Sequence, residues 1–128
     1  MPGGCKHTEM AKKEKSSIYV DAQSLLYTFY NAQFEMDKRD RAVLAVRLLD
    51  HTEAIISHFA LAYRTEDKVA NIDKMLAHFE VVKVESRFAI DEKMFKKPCT
   101  INRVRELIVR MDEGIVKWRN YVVSARQD

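Results

Sequence analysis

The chain has 128 residues, of which 47% are hydrophobic and 32% are charged, and its formal net charge is +3 at pH 7. This length suits one domain with its own core, and the modest positive charge permits an anionic partner without requiring one. No run of about 18 apolar residues occurs, which argues against a membrane-spanning helix.

The distribution of glycine and proline predicts an all-helical protein. Pro2, Gly3 and Gly4 lie in the first residues, and only Pro98 and Gly114 follow them. A β-rich domain needs turn residues every ~8–12 positions, and they are absent here. We therefore predict an all-α, up-down-up-down antiparallel four-helix bundle over residues 16–128, with helices at about 17–36, 38–64, 67–95 and 101–125.

Residues 1–15 are polar, and we expect them to form a disordered basic tail in which Met10 is an alternative start. They lack the apolar segment of a secretory signal. Cys5 in this tail and Cys99 in a connection are poor candidates for a structural disulfide. A reducing, cytoplasmic location is therefore expected.

Apolar residues recur at helical spacing in each predicted helix, which gives every helix one face for a shared core. The stripes are Ile18, Ala22, Leu25, Leu26, Phe29 and Ala32 in the first helix, Leu44, Leu48, Ile55, Phe59 and Ala62 in the second, Ile72, Met75, Leu76, Phe79, Val82, Ala89 and Ile90 in the third, and Val104, Leu107, Ile108, Met111, Ile115, Trp118 and Val122 in the fourth.

Three residues predict how the helices begin and cross. Asp37 suits the N-cap of the second helix. Pro98 cannot continue a helix that runs into it, and Thr100 is the expected cap of the fourth helix. Gly114 in mid-helix is unfavourable by about 1 kcal/mol relative to alanine, which a close helix crossing would explain.

Apolar residues outside the main stripes predict an oligomer. Val43, Val46 and Leu61 lie on the far side of the second helix, and the first helix has more aromatic residues than one buried face can hold. Exposed apolar groups of this kind usually mark an interface. The aromatic residues concerned are Tyr19, Tyr27, Tyr30 and Phe34.

Two cations fall close to the inward face of the third helix. We expect Lys83 and Arg87 to extend to the surface or to pair with Glu80 and with a carboxylate of a neighbouring helix, such as Asp50. The alternative is a charged pocket or a subunit contact. The first interpretation is favoured because burying a charge without a partner is costly.

No catalytic constellation is recognisable, so we expect a protein that is not an enzyme and has no cofactor. His51 and His58 lie seven residues apart on one helix face, and His78 lies on the third helix. A metal-carrying bundle is therefore a less favoured alternative, since no Glu-x-x-His pair accompanies them.

Basic residues recur in lines that could follow a phosphate backbone. Arg103, Arg110 and Lys117 repeat every seven residues along the fourth helix. Glu106 and Glu113 alternate with them, so the same edge could be a row of solvated ion pairs. A second cluster opens the second helix and consists of Lys38, Arg39 and Arg41.

Three stretches resemble the four-helix-bundle family that contains the accessory variability determinant proteins of diversity-generating retroelements. The family also includes four-helix proteins encoded in intervening sequences of bacterial large-subunit rRNA genes. The stretches are FEMDKRDRAVLAVRLLDHTEAIISH, IDKMLAHFEVVKVESRFA and ELIVRMDEGIVKWRNYV. The matching residues are Lys38 and Arg41 in the first, Arg87 in the second, and Gly114 and Trp118 in the third.

The resemblance implies more about function than the composition does. Retroelement members of the family form ring-like pentamers with a basic surface, bind a reverse transcriptase and its template RNA or the RNA–DNA hybrid, and are not enzymes. By this resemblance we expect a homopentamer with the same partners and no membrane association. The alternative is a structural or regulatory protein of the rRNA intervening-sequence type, without a nucleic-acid role.

Overall fold

The structure, a computed structural model, describes residues 13–127, and every long element in it is helical. The first helix, α1, is Lys13–Ala32, followed by a 3-10 turn at Gln33–Glu35. The second, α2, covers residues 38–64 and consists of α-helical Lys38–Asp40, π-helical Arg41–Ala45 and α-helical Val46–Arg64. The third and fourth helices are α3, Lys68–Asp91, and α4, Pro98–Gln127. No strand occurs in this part of the chain, so the all-α prediction is confirmed.

The four helices enclose one hydrophobic core built from the predicted stripes. Each large side chain that is removed from water contributes roughly 1.5–3 kcal/mol, so this core is the main source of stability. The largest fully buried side chains are Ile18, Leu25 and Phe29 of α1, Leu48 and Ile55 of α2, Ile72, Met75, Phe79 and Val82 of α3, and Leu107, Met111 and Ile115 of α4.

The helices do not pack equally closely on all sides. The contacts between α2 and α3 and between α1 and α4 are the most extensive, whereas the α1/α2 and α3/α4 seams are more open. A Cβ atom added at Gly114 of α4 would lie 3.2 Å from Cγ1 of Ile18 in α1. This glycine therefore permits the close crossing that the sequence predicts.

None of the described helices has the length and apolar character needed to cross a bilayer. The helix α1 begins at Lys13, within the segment predicted to be a disordered tail. The rest of that predicted tail, residues 1–12, lies outside the described residues.

The end of α3 differs from the prediction, because the helix stops at Asp91 and not near residue 95. Lys93 has a φ of 60°. The Lys93 amide donates to the Ile90 carbonyl and the Met94 amide to the Ala89 carbonyl, which is the Schellman pattern. The turn lets Phe95 fold back into the core, where its ring stacks on Phe29 at 6.4 Å between centroids.

The start of α4 also differs, and Thr100 is not its N-cap. Pro98 occupies the first turn, where its missing N–H removes no intrahelical bond. Glu35, from the α1/α2 connection, satisfies groups at this helix end. One of its carboxylate oxygens accepts from the amides of Lys96 and Lys97 at 2.8 and 2.9 Å, and the other accepts from the Thr100 hydroxyl at 2.6 Å.

Burial acts to raise the pKa of Glu35, but the hydrogen bonds from Thr100, Lys97 and Lys96 outweigh it, so the pKa lies below its ordinary value of 4.5. The ionised carboxylate is the form that these donors stabilise. Glu35 therefore contributes stability that is present at neutral pH and is lost as the pH falls below 4.5.

We predict that Glu35→Gln lowers the free energy of unfolding at pH 7 by about 1–2 kcal/mol, since hydrogen bonds to a charged group are worth about 1.5–3 kcal/mol and the amide retains part of them. The loss of stability below pH 4.5 should also become shallower. Urea denaturation at a series of pH values measures both. Glu92→Gln removes the same charge from an exposed position in the α3/α4 connection and is the control. Equal effects of the two substitutions would contradict the role given to Glu35.

Candidate nucleic-acid interface

Two connections of the bundle meet at one end, and both carry cations. The contacts of Glu35 join the 33–37 connection to the 92–97 connection. Arg39 lines the same surface groove as Met94, which confirms that the start of α2 lies beside the second connection. We call this surface the basic end and define it by five exposed residues: Lys38, Arg39, Lys93, Lys96 and Lys97.

The nearby carboxylates leave the charges of the basic end largely unopposed. Glu35 is occupied by two amides and a hydroxyl, and Asp37 accepts from the Asp40 amide at 3.2 Å, as predicted for the N-cap. None of the five cations forms an ion pair with another described residue. The ammonium group of Lys96 donates to the carbonyl of Lys93 at 2.9 Å. These side chains are therefore placed to meet an anion from solvent.

Arg41 is a neighbour of the predicted Lys38–Arg39–Arg41 cluster in sequence but has structural contacts. Its Nε atom donates to the Gln33 carbonyl at 3.0 Å and its Nη2 atom to the Met36 carbonyl at 3.3 Å. The guanidinium also lies 5.6 Å from the centroid of the Phe34 ring. Arg41 thus satisfies carbonyls beyond the end of α1, where a cation is favoured.

The predicted line of cations on α4 is interleaved with carboxylates in the structure. Arg103 pairs with Glu106 at 3.1 Å, and Arg110 lies 3.8 Å from the same carboxylate. Arg110 also donates from two nitrogens to Asp21 of α1, at 3.0 and 3.3 Å. Lys117 is exposed and lines the same groove as Asp21 and Arg110. The line exists, but one of its three cations joins two helices.

The pair formed by Asp21 and Arg110 is asymmetric, because Asp21 is only 4% exposed whereas half of the Arg110 side chain is in solvent. Burial raises the pKa of Asp21 above its ordinary value, and the Arg110 guanidinium offsets this only in part. The carboxylate therefore depends on Arg110 for its hydrogen bonds.

Sequence reasoning missed Lys93, Lys96 and Lys97. The signal was present as the run KKPC directly before the break at Pro98. It gained meaning only when the 92–97 connection was placed beside the start of α2, which is a tertiary contact that no local pattern reveals.

The three helix-borne histidines come together on the α2/α3 face. Nδ1 of His51 lies 2.9 Å from Nδ1 of His78, so one nitrogen carries a proton and the other accepts it. The rings of His58 and His78 are nearly parallel, with centroids 5.4 Å apart, and Nδ1 of His58 is buried without a hydrogen-bond partner. Among the described residues, no group of three or more histidine, cysteine or acidic side chains is arranged to hold a metal ion.

Burial lowers the pKa of His78 below its ordinary value of 6.5, and the neighbouring His51 and His58 lower it further. The histidine cluster is therefore built for neutral rings. The unfolded chain binds a proton at this position at a higher pH than the folded chain does, so protonation favours unfolding.

No family model matches the chain, and no curated protein or solved structure gives a significant match to it. The functional argument therefore depends on the geometry and charge of the chain itself.

We predict that Arg110→Ala lowers the free energy of unfolding by about 1.5–3 kcal/mol, because the buried Asp21 carboxylate loses a charged donor. Arg103→Ala is the matched control, since its printed partner Glu106 is exposed and on the same helix, and such pairs contribute about 0.2–0.5 kcal/mol. Urea denaturation compares the two variants. If they lost the same small amount, the Asp21–Arg110 pair would not hold α1 to α4.

We also predict that the free energy of unfolding falls as the pH is lowered through 6.5, and that His78→Gln makes this fall less steep. The reason is that glutamine takes up no proton in the unfolded state. Denaturant titrations at several pH values check the slope, and titrations at a pH well above 6.5 give the pH-independent cost of the substitution. A slope unchanged in the variant would show that His78 takes no part in this linkage.

Proposed function

We propose that this protein is a non-enzymatic, oligomeric helical bundle that binds nucleic acid, either template RNA or an RNA–DNA hybrid, and assists a reverse transcriptase. One observation carries the proposal. Five exposed cations from two connections converge at the basic end without ion-pair partners among the described residues.

Lysine dominates the basic end, and this suits contact with a phosphate backbone. An ammonium group on a flexible stem is a point charge that can follow phosphates of varied geometry. Such contacts position a nucleic acid without reading its bases, so binding should be insensitive to sequence and sensitive to salt. A protein that accompanies a polymerase along a template needs this kind of contact.

Association of several chains would strengthen the attraction. The net charge of one chain is +3, so a pentamer, the state that the family resemblance implies, would carry about +15 by multiplication. Exposed apolar side chains support an oligomer, with Val43, Val46 and Leu61 between 47% and 59% exposed. Tyr27 and Phe34 on α1 are 70% and 61% exposed and add to the same surface requirement.

The proposal includes an up-down-up-down antiparallel course for the four helices. The order of the side-chain contacts supports it, because Asp21 and Glu35 of α1 contact Arg110 and Thr100 of α4, in that order. Similar reversed pairs join the other neighbours: Tyr19 with Phe59 and Gln33 with Arg41, Arg47 with Glu85 and His58 with His78, and Asp73 with Arg119 and Lys83 with Asp112.

We also propose a cytoplasmic location, which an exposed and unpaired Cys99 supports. Contact of Arg103, Arg110 and Lys117 with phosphates stays a prediction. The basic end is the stronger candidate, because Arg103 and Arg110 already have carboxylate partners within the chain.

The second candidate function is a structural or regulatory bundle with no nucleic-acid role. It is favoured by the number of arginines that hold the fold together, since Arg41, Arg47, Arg110 and Arg119 all contact other parts of the chain. Under this alternative the basic end would be a solvated surface.

Replacing Lys96 and Lys97 by alanine separates the two candidates. Their backbone amides stay in place, so the contacts with Glu35 and the fold are retained. We predict that the double variant binds single-stranded RNA more weakly for all sequences alike and that the slope of log affinity against log salt falls by about two units, one for each lost phosphate contact. Fluorescence anisotropy with labelled RNA between about 50 and 200 mM salt measures both quantities.

Lys74→Ala is the matched control, because Lys74 is an exposed lysine on α3 outside the basic end. It should leave the salt slope nearly unchanged. A parent protein that fails to bind RNA at low salt would favour the structural bundle, and equal losses in the control and the double variant would move the site away from the basic end.

A further inference from the structure

The two open seams of the bundle are lined differently, and their charges are opposite. The seam between α1 and α2, here called the acidic groove, is lined by Leu26, Tyr27, Tyr30, Leu49, Asp50 and Glu53. The seam between α3 and α4, here called the basic groove, is lined by Lys83, Arg87, Ile90, Arg105, Ile108 and Val109 among others.

The acidic groove combines apolar surface with uncompensated negative charge. Tyr27 and Tyr30 are 70% and 54% exposed, and Leu26 and Leu49 between the helices are only half-buried. Asp50 and Glu53 are exposed and form no ion pair with another described residue. Aromatic side chains of this kind are typical of the buried centre of protein interfaces.

The basic groove has the complementary character. Val109 is 58% exposed, and Ile90 and Ile108 are half-buried beside it. Arg105 is exposed and has no ion-pair partner among the described residues. Arg87 is 82% exposed and only 3.8 Å from Asp91, so its guanidinium is available to a second carboxylate.

Lys83 contributes less to the charge of the basic groove. It pairs with Glu80 at 2.9 Å, as predicted, and with Asp112 of α4 at 3.3 Å in place of the suggested Asp50. Asp50 lies instead in the acidic groove, without an ion-pair partner in the described part of the chain.

The order of the helices around the core places the two grooves on opposite sides. Contacts join α1 to α2, α2 to α3, α3 to α4, and α4 back to α1. The α1/α2 seam is therefore opposite the α3/α4 seam. A surface on one side that complements a surface on the other cannot be satisfied within one chain.

We propose that the acidic groove of one copy docks on the basic groove of a second copy, with Asp50 and Glu53 facing Arg87 and Arg105. The contact is heterologous, because two different surfaces meet, and each copy can engage two neighbours. This inference rests on the oligomer in the proposed function and names its interface.

A symmetric pairing of like grooves is disfavoured by electrostatics. Two acidic grooves face to face would bring four exposed carboxylates together, and like charges across an interface are costly. The heterologous arrangement instead places the apolar residues of both grooves in contact and surrounds them with opposite charges, which fits an apolar centre with a polar rim.

Charge reversal tests the contact. We expect Glu53→Lys and Arg105→Glu each to shift the parent oligomer toward the monomer mass of 15.0 kDa in light scattering, because each places like charges across the interface. The double variant in one chain should regain the parent mass, since lysine at position 53 then meets glutamate at position 105. Glu66→Lys, at an exposed position in the α2/α3 connection, is the control and should keep the parent mass.

Circular dichroism and RNA binding complete the test. Unchanged helical spectra show that the single variants fold, so a loss of mass reports on the interface. A monomeric parent, single variants with the parent mass, or a double variant that stays monomeric would each overturn the groove-to-groove contact. Salt-dependent RNA binding by a monomeric parent would overturn the contact alone, whereas an oligomer that binds no RNA would overturn only the nucleic-acid role.

Discussion

The carboxylate of Glu35 organises the functional end of this bundle. It lies in the short connection after α1, yet its hydrogen bonds are to the connection before α4, through the amides of Lys96 and Lys97 and the hydroxyl of Thr100. A helix N-terminus presents N–H groups without partners, and an anion there is favoured by the helix dipole. By supplying that anion from another helix, the chain fixes two loops against each other. The lysines of both loops then share one surface.

The cations of the chain divide between two tasks, and the division follows their chemistry. Several arginines hold helices together, as when Arg119 donates to Asp73 at 2.6 Å and Arg47 donates to Glu85 at 2.7 Å. The guanidinium has several donors in a fixed plane and suits defined carboxylate partners. The exposed lysines at the basic end have no such partners. The proposed nucleic-acid surface is thus made from the charges that the fold does not use.

Much of the fold was predictable because the helical period of apolar residues is a local property. The stripes on all four helices and the N-cap at Asp37 could be read from neighbouring residues. The end of α3 could not, since a lysine with positive φ replaces the glycine expected at that position. The roles of Asp21 and Glu35 were also hidden, because each has a partner more than sixty residues away.

The candidate site was less predictable than the fold for the same reason. Arg110 and Arg41 looked like surface cations in the sequence, and their partners appear only when helices are packed. Lys96 and Lys97 looked like part of an ordinary loop. Charge patterns report which side chains are ionised, but tertiary contacts decide which of them are already satisfied.

The central claim is that several identical chains together hold one nucleic acid on their basic ends. Native mass spectrometry of the protein mixed with a short single-stranded RNA measures both parts of this claim at once. The account predicts a complex whose mass is a multiple of 15.0 kDa plus one RNA, and which loses the RNA first as salt is raised. A spectrum with only the 15.0 kDa chain and free RNA at low salt would contradict it.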